Sequence, residues 1–297
     1  MARTYGPQYE RLWADALLLP GHTRLFESLA AEGAEYLGAS DEEMQERLRR
    51  SWQIRAATLH ESFPAGASPS ELASYYAEQE HGLVHSLYWH SLEPDRYALH
   101  AVAGLHVVQE FAEGRRVLDF GHGIGSATIL FARHGFEITL ADVSDVYRSF
   151  ARWRLERRAL RAAFVDLLED EPEHGAFDAI VSFDVLEHVP DPLETVARLR
   201  TWLRPGGVLV MNVAFGVDPE NPEHLLPRRR GVLDRIRSLG FERIASPTLL
   251  VFYRREIGAV RRRLYRLQDL APAVRDDLVH RWPAAARLLS VTRTPEL

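Results

Sequence analysis

The 297-residue sequence contains no cysteine and no lysine, and each absence excludes a class of chemistry. Without cysteine there are no disulfides, no thiolate nucleophiles and no cysteine-bound zinc. Without lysine, Schiff-base catalysis and a lysine general base are excluded. Every formal side-chain cation, other than a protonated histidine, is therefore an arginine.

Long hydrophobic runs are missing as well. The sequence has no stretch of about eighteen apolar residues, and its start lacks the apolar segment of a signal peptide. We therefore expect a cytoplasmic protein without a membrane partner. An apolar content of 46% is normal for a folded domain, and the length allows one large or two modest domains.

The net charge of −6 is unevenly distributed along the sequence. Residues 226–266 carry twelve arginines against three acidic residues, so the remainder is strongly acidic. Such a stretch would suit an acidic substrate or a nucleic-acid backbone. We favour a basic helical face that is solvated or docks on acidic neighbours. Because no RNA-binding module is recognisable, nucleic acid is disfavoured as a partner.

The most informative stretch is residues 117–125, Val-Leu-Asp-Phe-Gly-His-Gly-Ile-Gly, in which an apolar strand runs into a glycine turn. Gly121, Gly123 and Gly125 permit backbone angles closed to other residues and let a ligand lie against bare main chain. A helix that starts at Ser126 would add free N–H groups, which favour a carboxylate or phosphate. The pattern predicts a site for a nucleotide-like cofactor.

A second predicted strand ends in an acidic residue and restricts which nucleotide-like cofactor the site can bind. Residues 137–142 form a predicted strand ending in Asp142, where a carboxylate can bind both hydroxyls of an adenosine ribose. A dinucleotide fingerprint would require glycine at position 126, which is Ser126 here, so an NAD-dependent enzyme is disfavoured. The two features together indicate an adenosine-containing cofactor.

Two further motifs lie at residues 177–189 and 203–212. The first is a buried-type strand that ends in a polar Asp-Val-Leu-Glu-His segment, and the second is a Pro-Gly-Gly turn leading into another apolar strand. With the glycine turn and Asp142, this ordered series resembles the class I S-adenosylmethionine-dependent methyltransferases over roughly residues 113–254. The sequence departs from the pattern at His122, where many members have a small residue or cysteine.

The resemblance implies an α/β fold with a seven-stranded Rossmann-like sheet, mostly parallel with the last strand antiparallel, flanked by helices. Alternating strand and helix patterns agree with it. We expect residues 1–112 to form a helical lid that shapes the acceptor pocket, 113–254 the methyltransferase core and 255–297 a helical C-terminal extension. Strands are predicted near 116–120, 137–142, 162–165, 178–183, 207–213, 242–246 and 249–254.

Within the N-terminal part, Ser40 and Glu43 form a capping box, which predicts that a helix begins there. Met44, Leu48 and Trp52 follow at four-residue spacing, which is typical of one helical face. In the core, Asp191 before a proline predicts another helix start.

The resemblance also implies which residues hold S-adenosyl-L-methionine: Asp119, Gly121, Gly123, Gly125, Asp142, Asp166, Phe183 and Asp184. The glycines would pass beneath the methionine portion, and Asp119 would support their turn. Asp142 would hold the ribose hydroxyls and Asp166 the adenine amino group. Phe183 and Asp184 would line the methyl-donating end. Asp119 as a turn former and Asp166 as a helix cap are the alternatives.

His188 is the candidate catalytic residue, because it follows the fourth strand and histidine is the natural base at neutral pH. A structural role for the Glu187–His188 pair is the alternative. With Asp184 and His224, this pair also resembles the metal site of small-RNA 2′-O-methyltransferases and of quinone-pathway O-methyltransferases. A divalent ion there would lower the pKa of the acceptor hydroxyl. We favour a polar lining without metal.

A second histidine group lies in the N-terminal part and consists of His81, His85, His90, His100 and His106. The four-residue spacing of the first two would suit zinc on a helix, but no H-E-x-x-H pattern accompanies them. We favour the lining of an aromatic acceptor's pocket. Aromatic candidates for the same pocket are Tyr75, Tyr76, Tyr88, Trp89 and Tyr97.

Taken together, these features predict an S-adenosylmethionine-dependent methyltransferase acting on a small aromatic or cyclic metabolite, with O-methylation favoured. One alternative is a metal-assisted RNA or quinone-type O-methyltransferase, and another is a non-catalytic protein that binds the cofactor. The expected partner is a small-molecule substrate, and the sequence is compatible with a homo-oligomer.

Overall fold

The computed structural model describes residues 8–62, 64, 68–77, 80–92, 96–215, 223–224, 229–244 and 249–254. The predicted C-terminal extension, 255–297, and part of the arginine-rich stretch lie outside these residues. The helices are α1 (Gln8–Leu17), α2 (Leu25–Leu37), α3 (Asp41–Ser62), α4 (Pro69–Ala77), α5 (Glu80–Ser91), α6 (Arg96–Phe111), α7 (Ser126–Arg133), α8 (Asp145–Arg157), α9 (Pro192–Trp202) and α10 (Arg229–Ser238). The strands are β1 (Arg116–Phe120), β2 (Glu137–Asp142), β3 (Ala163–Asp166), β4 (Phe177–Phe183), β5 (Leu203–Asn212), β6 (Phe241–Ile244) and β7 (Leu250–Arg254).

The seven strands form one sheet in the order β3-β2-β1-β4-β5-β7-β6. Strands β1 to β5 pair in parallel, while β7 runs antiparallel to both β5 and β6. The chain reverses its direction of travel across the sheet between β1 and β4, and ligands of open α/β sheets bind at such a switch point. The predicted fold class is confirmed.

The strand boundaries agree with the predictions to within a few residues, except for β5. This strand begins at Leu203 instead of 207, because Leu203 pairs with Phe177 before a register shift carries the chain past the Pro-Gly-Gly segment. Pairing then resumes between Ala179 and Val208. A bulge of this kind is difficult to predict, since proline and glycine usually end a strand.

The predicted helix starts are present. The amide of Glu43 donates to Ser40 Oγ over 3.1 Å, and the Asp191 carboxylate accepts from the first turn of α9. Trp52 departs from the predicted helical face: Met44 and Leu48 are buried, whereas Trp52 is 53% exposed. Each four-residue step overshoots a helical turn by about 40°, so the face rotates away from the core over two steps.

Two apolar clusters cover the two faces of the sheet. One lies under α9 and α10 and contains Ile180 and Trp202, both fully buried. The other joins the sheet to the N-terminal helices, so that Trp13 of α1 and Leu87 of α5 belong to the same cluster as Val117 of β1. The N-terminal helices therefore pack on the sheet as part of its core.

A buried ionic contact also connects the N-terminal helices to the core. Glu32 of α2 accepts from Arg154 of α8 over 2.9 Å and from Arg158 as well, and the first two side chains are fully buried. Arg158 also donates to the carbonyl of Leu17 over 2.9 Å. In the described part of the chain, no helix has the length and apolarity needed to cross a membrane.

Candidate active site

The glycine turn follows β1 at the carboxyl edge of the sheet. Gly121 has φ +70°, its N–H donates to the carbonyl of Ala141 over 2.8 Å, and an added Cβ would lie 2.5 Å from Val185. Gly123 has φ +49°, and an added Cβ there would meet nothing within 4 Å. The turn is therefore packed on one side and leaves bare main chain open on the other.

Asp142 at the end of β2 is fastened beside this turn. One carboxylate oxygen accepts from the amide of Gly123 over 3.2 Å, and the other accepts from the amide of Ser144 over 2.9 Å. The side chain is 8% exposed and borders the cavity described below. Fixed amides on both oxygens orient the carboxylate before any ligand arrives.

Asp119 lies beneath the turn and not in the cavity. It is 2% exposed and accepts a hydrogen bond from the hydroxyl of Thr128 over 2.6 Å. Burial raises the pKa of its carboxyl to about 7, and the negative charge of Asp142 contributes in the same direction. Its position suits support of the turn, which is the part that the sequence resemblance gave it.

Asp166 at the end of β3 is paired with another side chain. Its carboxylate accepts from Arg148 over 2.6 Å and from the amide of Leu168 over 3.0 Å. At the end of this strand, Leu167, the neighbour of Asp166, borders the cavity. A contact between Asp166 and a ligand stays a prediction.

One cavity of about 720 Å³ lies over the carboxyl edge of the sheet. This volume is within the range of pockets that hold small molecules. The predicted site residues that border it are Gly121, Gly123, Asp142, Phe183, Asp184 and His188. Asp119, Gly125 and Asp166 lie outside its lining. The structure therefore gathers most of the predicted residues around a single space.

The end of β4 contributes Phe183 and Asp184. Gly104 of α6 makes room for the Phe183 ring, since an added Cβ would lie 2.6 Å from that ring. Asp184 has φ +53°, an unusual backbone for this residue type. It is held by Asn212, whose side chain accepts from the Asp184 amide over 3.0 Å and donates to its carboxylate. Asn212 also borders the cavity and was not among the predicted site residues.

Next to this strand end, Glu187, His188 and His224 place one ligand atom each within 4.8 Å of one another. Glu187 is buried, and one oxygen accepts from the amide of Ala214 over 3.0 Å. Its second oxygen is buried without a hydrogen-bond partner among the described residues. Burial, with the charge of Asp184 adding to it, raises the pKa of Glu187 to about 8.

Glu223 is a buried acid beside this cluster that the sequence did not single out. One of its oxygens lies 3.9 Å from His188 Nδ1, and the other accepts from the hydroxyl of Tyr75 over 3.1 Å. The His188 and His224 rings are 5.1 Å apart. The one available signal was sequence adjacency to His224, because the partner Tyr75 is 148 residues away.

Three rings from α3 and α5 form a second wall of the cavity, which we call the aromatic wall: Trp52, His85 and Trp89. Their centroids are 5.8 to 6.4 Å apart, and the Trp52 and Trp89 planes differ by 19°. Trp52 is half-exposed. The wall therefore offers flat apolar faces beside the polar cluster.

The predicted histidine group separates in the structure. His85, His90 and His100 border the cavity, whereas His106 is exposed elsewhere and the side chain of His81 lies outside the described residues. Within the described side chains, this group does not bring three ligand atoms together. Of the aromatic candidates, those that border the cavity are Tyr76, Trp89 and Tyr97.

Comparison with known proteins identifies the family of this chain. A family described as the methyltransferase domain matches residues 88–257, which is more than half of the chain. The chain belongs to the methyltransferase domain family. Membership in this family confirms the predicted enzyme class and S-adenosylmethionine as its cofactor.

Curated relatives of this methyltransferase-domain protein are named ubiquinone biosynthesis O-methyltransferase. The one from Alkalilimnicola ehrlichii is 32% identical over 46% of this chain and 53% of its own length. The one from Bordetella avium is 31% identical over 57% of this chain and 74% of its own length. The chain spans about half of the length of the first of these relatives, and between 42% and 74% of the length of the curated relatives that carry this name.

A solved structure with a similar fold is the geranyl diphosphate C-methyltransferase of Streptomyces coelicolor A3(2). It is 14% identical, the alignment covers 65% of this chain and 100% of the other, and the TM-score is 0.48.

The residues present fit the cofactor of the methyltransferase domain family. Gly123 exposes main chain where a side chain would extend into open space, and the fixed carboxylate of Asp142 borders the same space. His122 borders the cavity on the same side. Burial lowers the pKa of its ring, and Nδ1 is hydrogen-bonded to the carbonyl of Gly123. Its Nε2 is buried without a hydrogen-bond partner among the described residues.

Proposed function

We propose that the protein transfers the methyl group of S-adenosylmethionine to a hydroxyl of a small aromatic acceptor. The observation that carries this proposal is that one cavity is bordered both by the glycine turn with Asp142 and by the cluster around His188. The names of the curated relatives support O-methylation over other methyl transfers.

On the cofactor side, Gly121 and Gly123 would lie under the methionine portion, and Asp142 would accept from the ribose hydroxyls. Phe183 and Asp184 would border the methyl-donating end, where their strand ends. When bound, the cofactor supplies an activated methyl group on a sulfonium. The protein's part is to orient the donor and acceptor and to exclude water.

His188 would accept the proton of the acceptor hydroxyl as the general base. The carboxylate of Glu223, 3.9 Å from His188 Nδ1, would stabilise the imidazolium that results. Glu223 is itself positioned by Tyr75 and is buried, so its interaction with a charged ring is weakly screened. A surface histidine would lack such a buried carboxylate to stabilise its protonated ring.

The aromatic wall supports an aromatic acceptor. Trp52, His85 and Trp89 present flat faces on which a planar ring can stack. They belong to α3 and α5, within the region predicted to form the lid, and we propose that these helices shape the acceptor pocket. A half-exposed tryptophan gains little from the core, so a ligand that covers it would gain apolar contact.

A direct test combines binding and turnover. Titration calorimetry of the purified chain with S-adenosylhomocysteine should show one site per chain. Incubation with methyl-labelled donor and matched phenols, catechols and anilines should label the hydroxyl compounds. Binding without any labelled product would favour the non-catalytic alternative, and labelling of the anilines alone would replace O-methylation by N-methylation.

A second candidate function is the metal-assisted form of the same reaction. The proximity of Glu187, His188 and His224 favours it, because a carboxylate and two imidazoles are suitable ligands for a divalent ion. The unpartnered buried oxygen of Glu187 fits such a group as well. A bound ion would lower the pKa of the acceptor hydroxyl.

Chelation separates the two forms of the reaction. With a metal, turnover should fall more than about tenfold after chelation and return with Mg²⁺, Mn²⁺ or Zn²⁺. In His224→Ala, the added ion should bind more weakly in calorimetry and fail to restore turnover. Undiminished turnover after chelation would leave His188 acting as a base without metal.

A further inference from the structure

His90 lies in the wall of the cavity and is held on several sides. It belongs to α5, is 6% exposed and borders the cavity. Its ring stacks on Tyr97 with 3.8 Å between centroids, and its carbonyl accepts from the indole N–H of Trp13 over 3.1 Å. The position of the ring is therefore fixed by packing, and its hydrogen bonds decide what it presents to the cavity.

A chain of donors determines which ring nitrogen carries the proton. Arg154 donates to Ser126 Oγ over 2.8 Å, and Ser126 Oγ lies 2.9 Å from His90 Nδ1. The guanidinium can only donate, so the serine oxygen accepts from it. The serine oxygen has a second lone pair, but among its hydrogen-bond partners in the described residues His90 Nδ1 is the one that can accept, so we assign the serine hydrogen to it. A neutral histidine with an accepting Nδ1 carries its proton on Nε2.

Arg154, the first donor in this series of hydrogen bonds, is held rigidly. Arg154 is fully buried and also donates to the carbonyl of Ile124 over 2.7 Å and to Glu32 over 2.9 Å. Its partners come from α2 and from the glycine turn, so the guanidinium has little freedom to rotate away from Ser126. The direction of the hydrogen bonds from Arg154 to His90 is therefore built into the fold.

The ring of His90 also stays neutral. Burial lowers its pKa well below the ordinary value, and the positive charge of Arg154 contributes in the same direction. Its Nε2–H makes no hydrogen bond to another described residue. A neutral N–H donor in the cavity wall can bind an oxygen without taking the proton from the hydroxyl of the methyl acceptor.

We propose that His90 is a ligand-binding residue whose Nε2–H donates to an oxygen of the molecule in the cavity, and that Ser126 and Arg154 are positioning residues that fix this tautomer. The proposal rests on the proposed function in taking this cavity as the binding site. The oxygen belongs either to the carboxylate of the cofactor's amino-acid tail or to the acceptor, and the experiment below distinguishes the two.

Two substitutions at His90 provide a matched pair. His90→Phe keeps a ring on Tyr97 but removes the donor, whereas His90→Gln places an amide N–H near the position of Nε2. Calorimetry of the full chain uses S-adenosylhomocysteine and 5′-methylthioadenosine, which lacks the carboxylate. If the oxygen is the cofactor's, His90→Phe should weaken the first ligand about tenfold and leave the second within twofold. His90→Gln should recover most of the loss.

If the oxygen is the acceptor's, both cofactor analogues should bind unchanged, and the KM of the acceptor should rise about tenfold in His90→Phe but not in His90→Gln. Equal losses of affinity for the two analogues would overturn the proposal. So would His90→Phe and His90→Gln variants that agree with each other both in S-adenosylhomocysteine affinity and in the KM of the acceptor, or a His90→Phe variant in which neither quantity changes. Wild-type protein that binds neither analogue would contradict the proposed function instead.

The positioning part is tested without any ligand. Nitrogen-15 NMR of the wild type should show His90 as the Nε2–H tautomer, and Ser126→Ala, which removes one oxygen, should add the Nδ1–H tautomer. A wild-type ring that is protonated on Nδ1 would overturn the assignment, and so would a Ser126→Ala spectrum identical to that of the wild type.

Discussion

The two sides of the cavity are built in different ways. The cofactor side consists of strand ends and main chain, with Gly123 and Asp142 within twenty residues of each other and joined by a hydrogen bond. The side that we propose for the acceptor consists of side chains from α3, α5 and the segment around 223–224, brought together over long sequence distances. A site made of local backbone leaves a pattern in the sequence, whereas a site made of distant side chains does not.

This difference also separates what each side is expected to do. Under the proposed function, main-chain geometry would bind the donor, which is the same for every acceptor, while side chains on the other side can change without disturbing the sheet. Substitutions on the two sides should therefore affect cofactor affinity and acceptor use separately, and the following predictions test that separation.

The largest effect is expected for Asp142→Ala. If the carboxylate of Asp142 binds two ribose hydroxyls as proposed, its loss should weaken the binding of S-adenosylhomocysteine about 1,000-fold, since hydrogen bonds to charged groups contribute about 2 kcal/mol each. Asp142→Asn, which keeps the size and one acceptor, should lose about tenfold. Calorimetry measures both, and an affinity unchanged in Asp142→Ala would remove this residue from the cofactor side.

On the acceptor side, His188→Ala should lower kcat about 100-fold, because general-base catalysis contributes at least this much. The affinity for S-adenosylhomocysteine should stay within twofold of wild type. His106→Ala, a substitution of an exposed histidine outside the cavity, is the control for kcat. A His188→Ala enzyme with full kcat would show that this ring has a packing role.

Asp119 should make the stability of the cofactor side depend on pH. Because its folded pKa is raised to about 7, the folded state keeps a proton that the unfolded chain releases above about pH 4. The free energy of unfolding therefore falls as pH rises through this window. From pH 5.5 to 8.5, wild type should lose about 2 kcal/mol relative to Asp119→Asn. Denaturant unfolding of both proteins at the two pH values measures this difference. Equal losses in the free energy of unfolding of wild type and Asp119→Asn would contradict the prediction.

The smallest effect is expected at the aromatic wall. Trp52→Ala should raise the KM of an aromatic acceptor about fivefold, since one stacking contact contributes about 1 kcal/mol. Leu168→Ala is a matched control, because Leu168 is equally exposed, at 53%, but does not border the cavity. Neither change should alter Tm by more than a few degrees. Equal effects of the two substitutions on KM would exclude stacking on Trp52.

The sequence predicted the sheet, the turn and Asp142 because each depends on local spacing. Trp52 was grouped with Met44 and Leu48 on one helical face, but it is exposed where they are buried, because periodicity does not show where a long helix rotates away from the core. Glu223 was missed because its meaning comes from Tyr75, far along the chain. Asp166 was predicted as a ligand contact, but its pairing with Arg148 depends on how α8 lies against β3. Tertiary contacts of this kind leave no local pattern.

The contact between Glu32 and Arg154 has a consequence for any attempt to shorten or recombine this protein. The family match begins at residue 88, yet the counter-ion of a fully buried guanidinium lies far upstream, in α2. A fragment trimmed to the matched region would lose the carboxylate that neutralises this guanidinium, and breaking a buried ion pair by removing one partner costs on the order of 3–5 kcal/mol. Chimeras that exchange the N-terminal helices should therefore transfer Glu32 together with Arg154, or replace both.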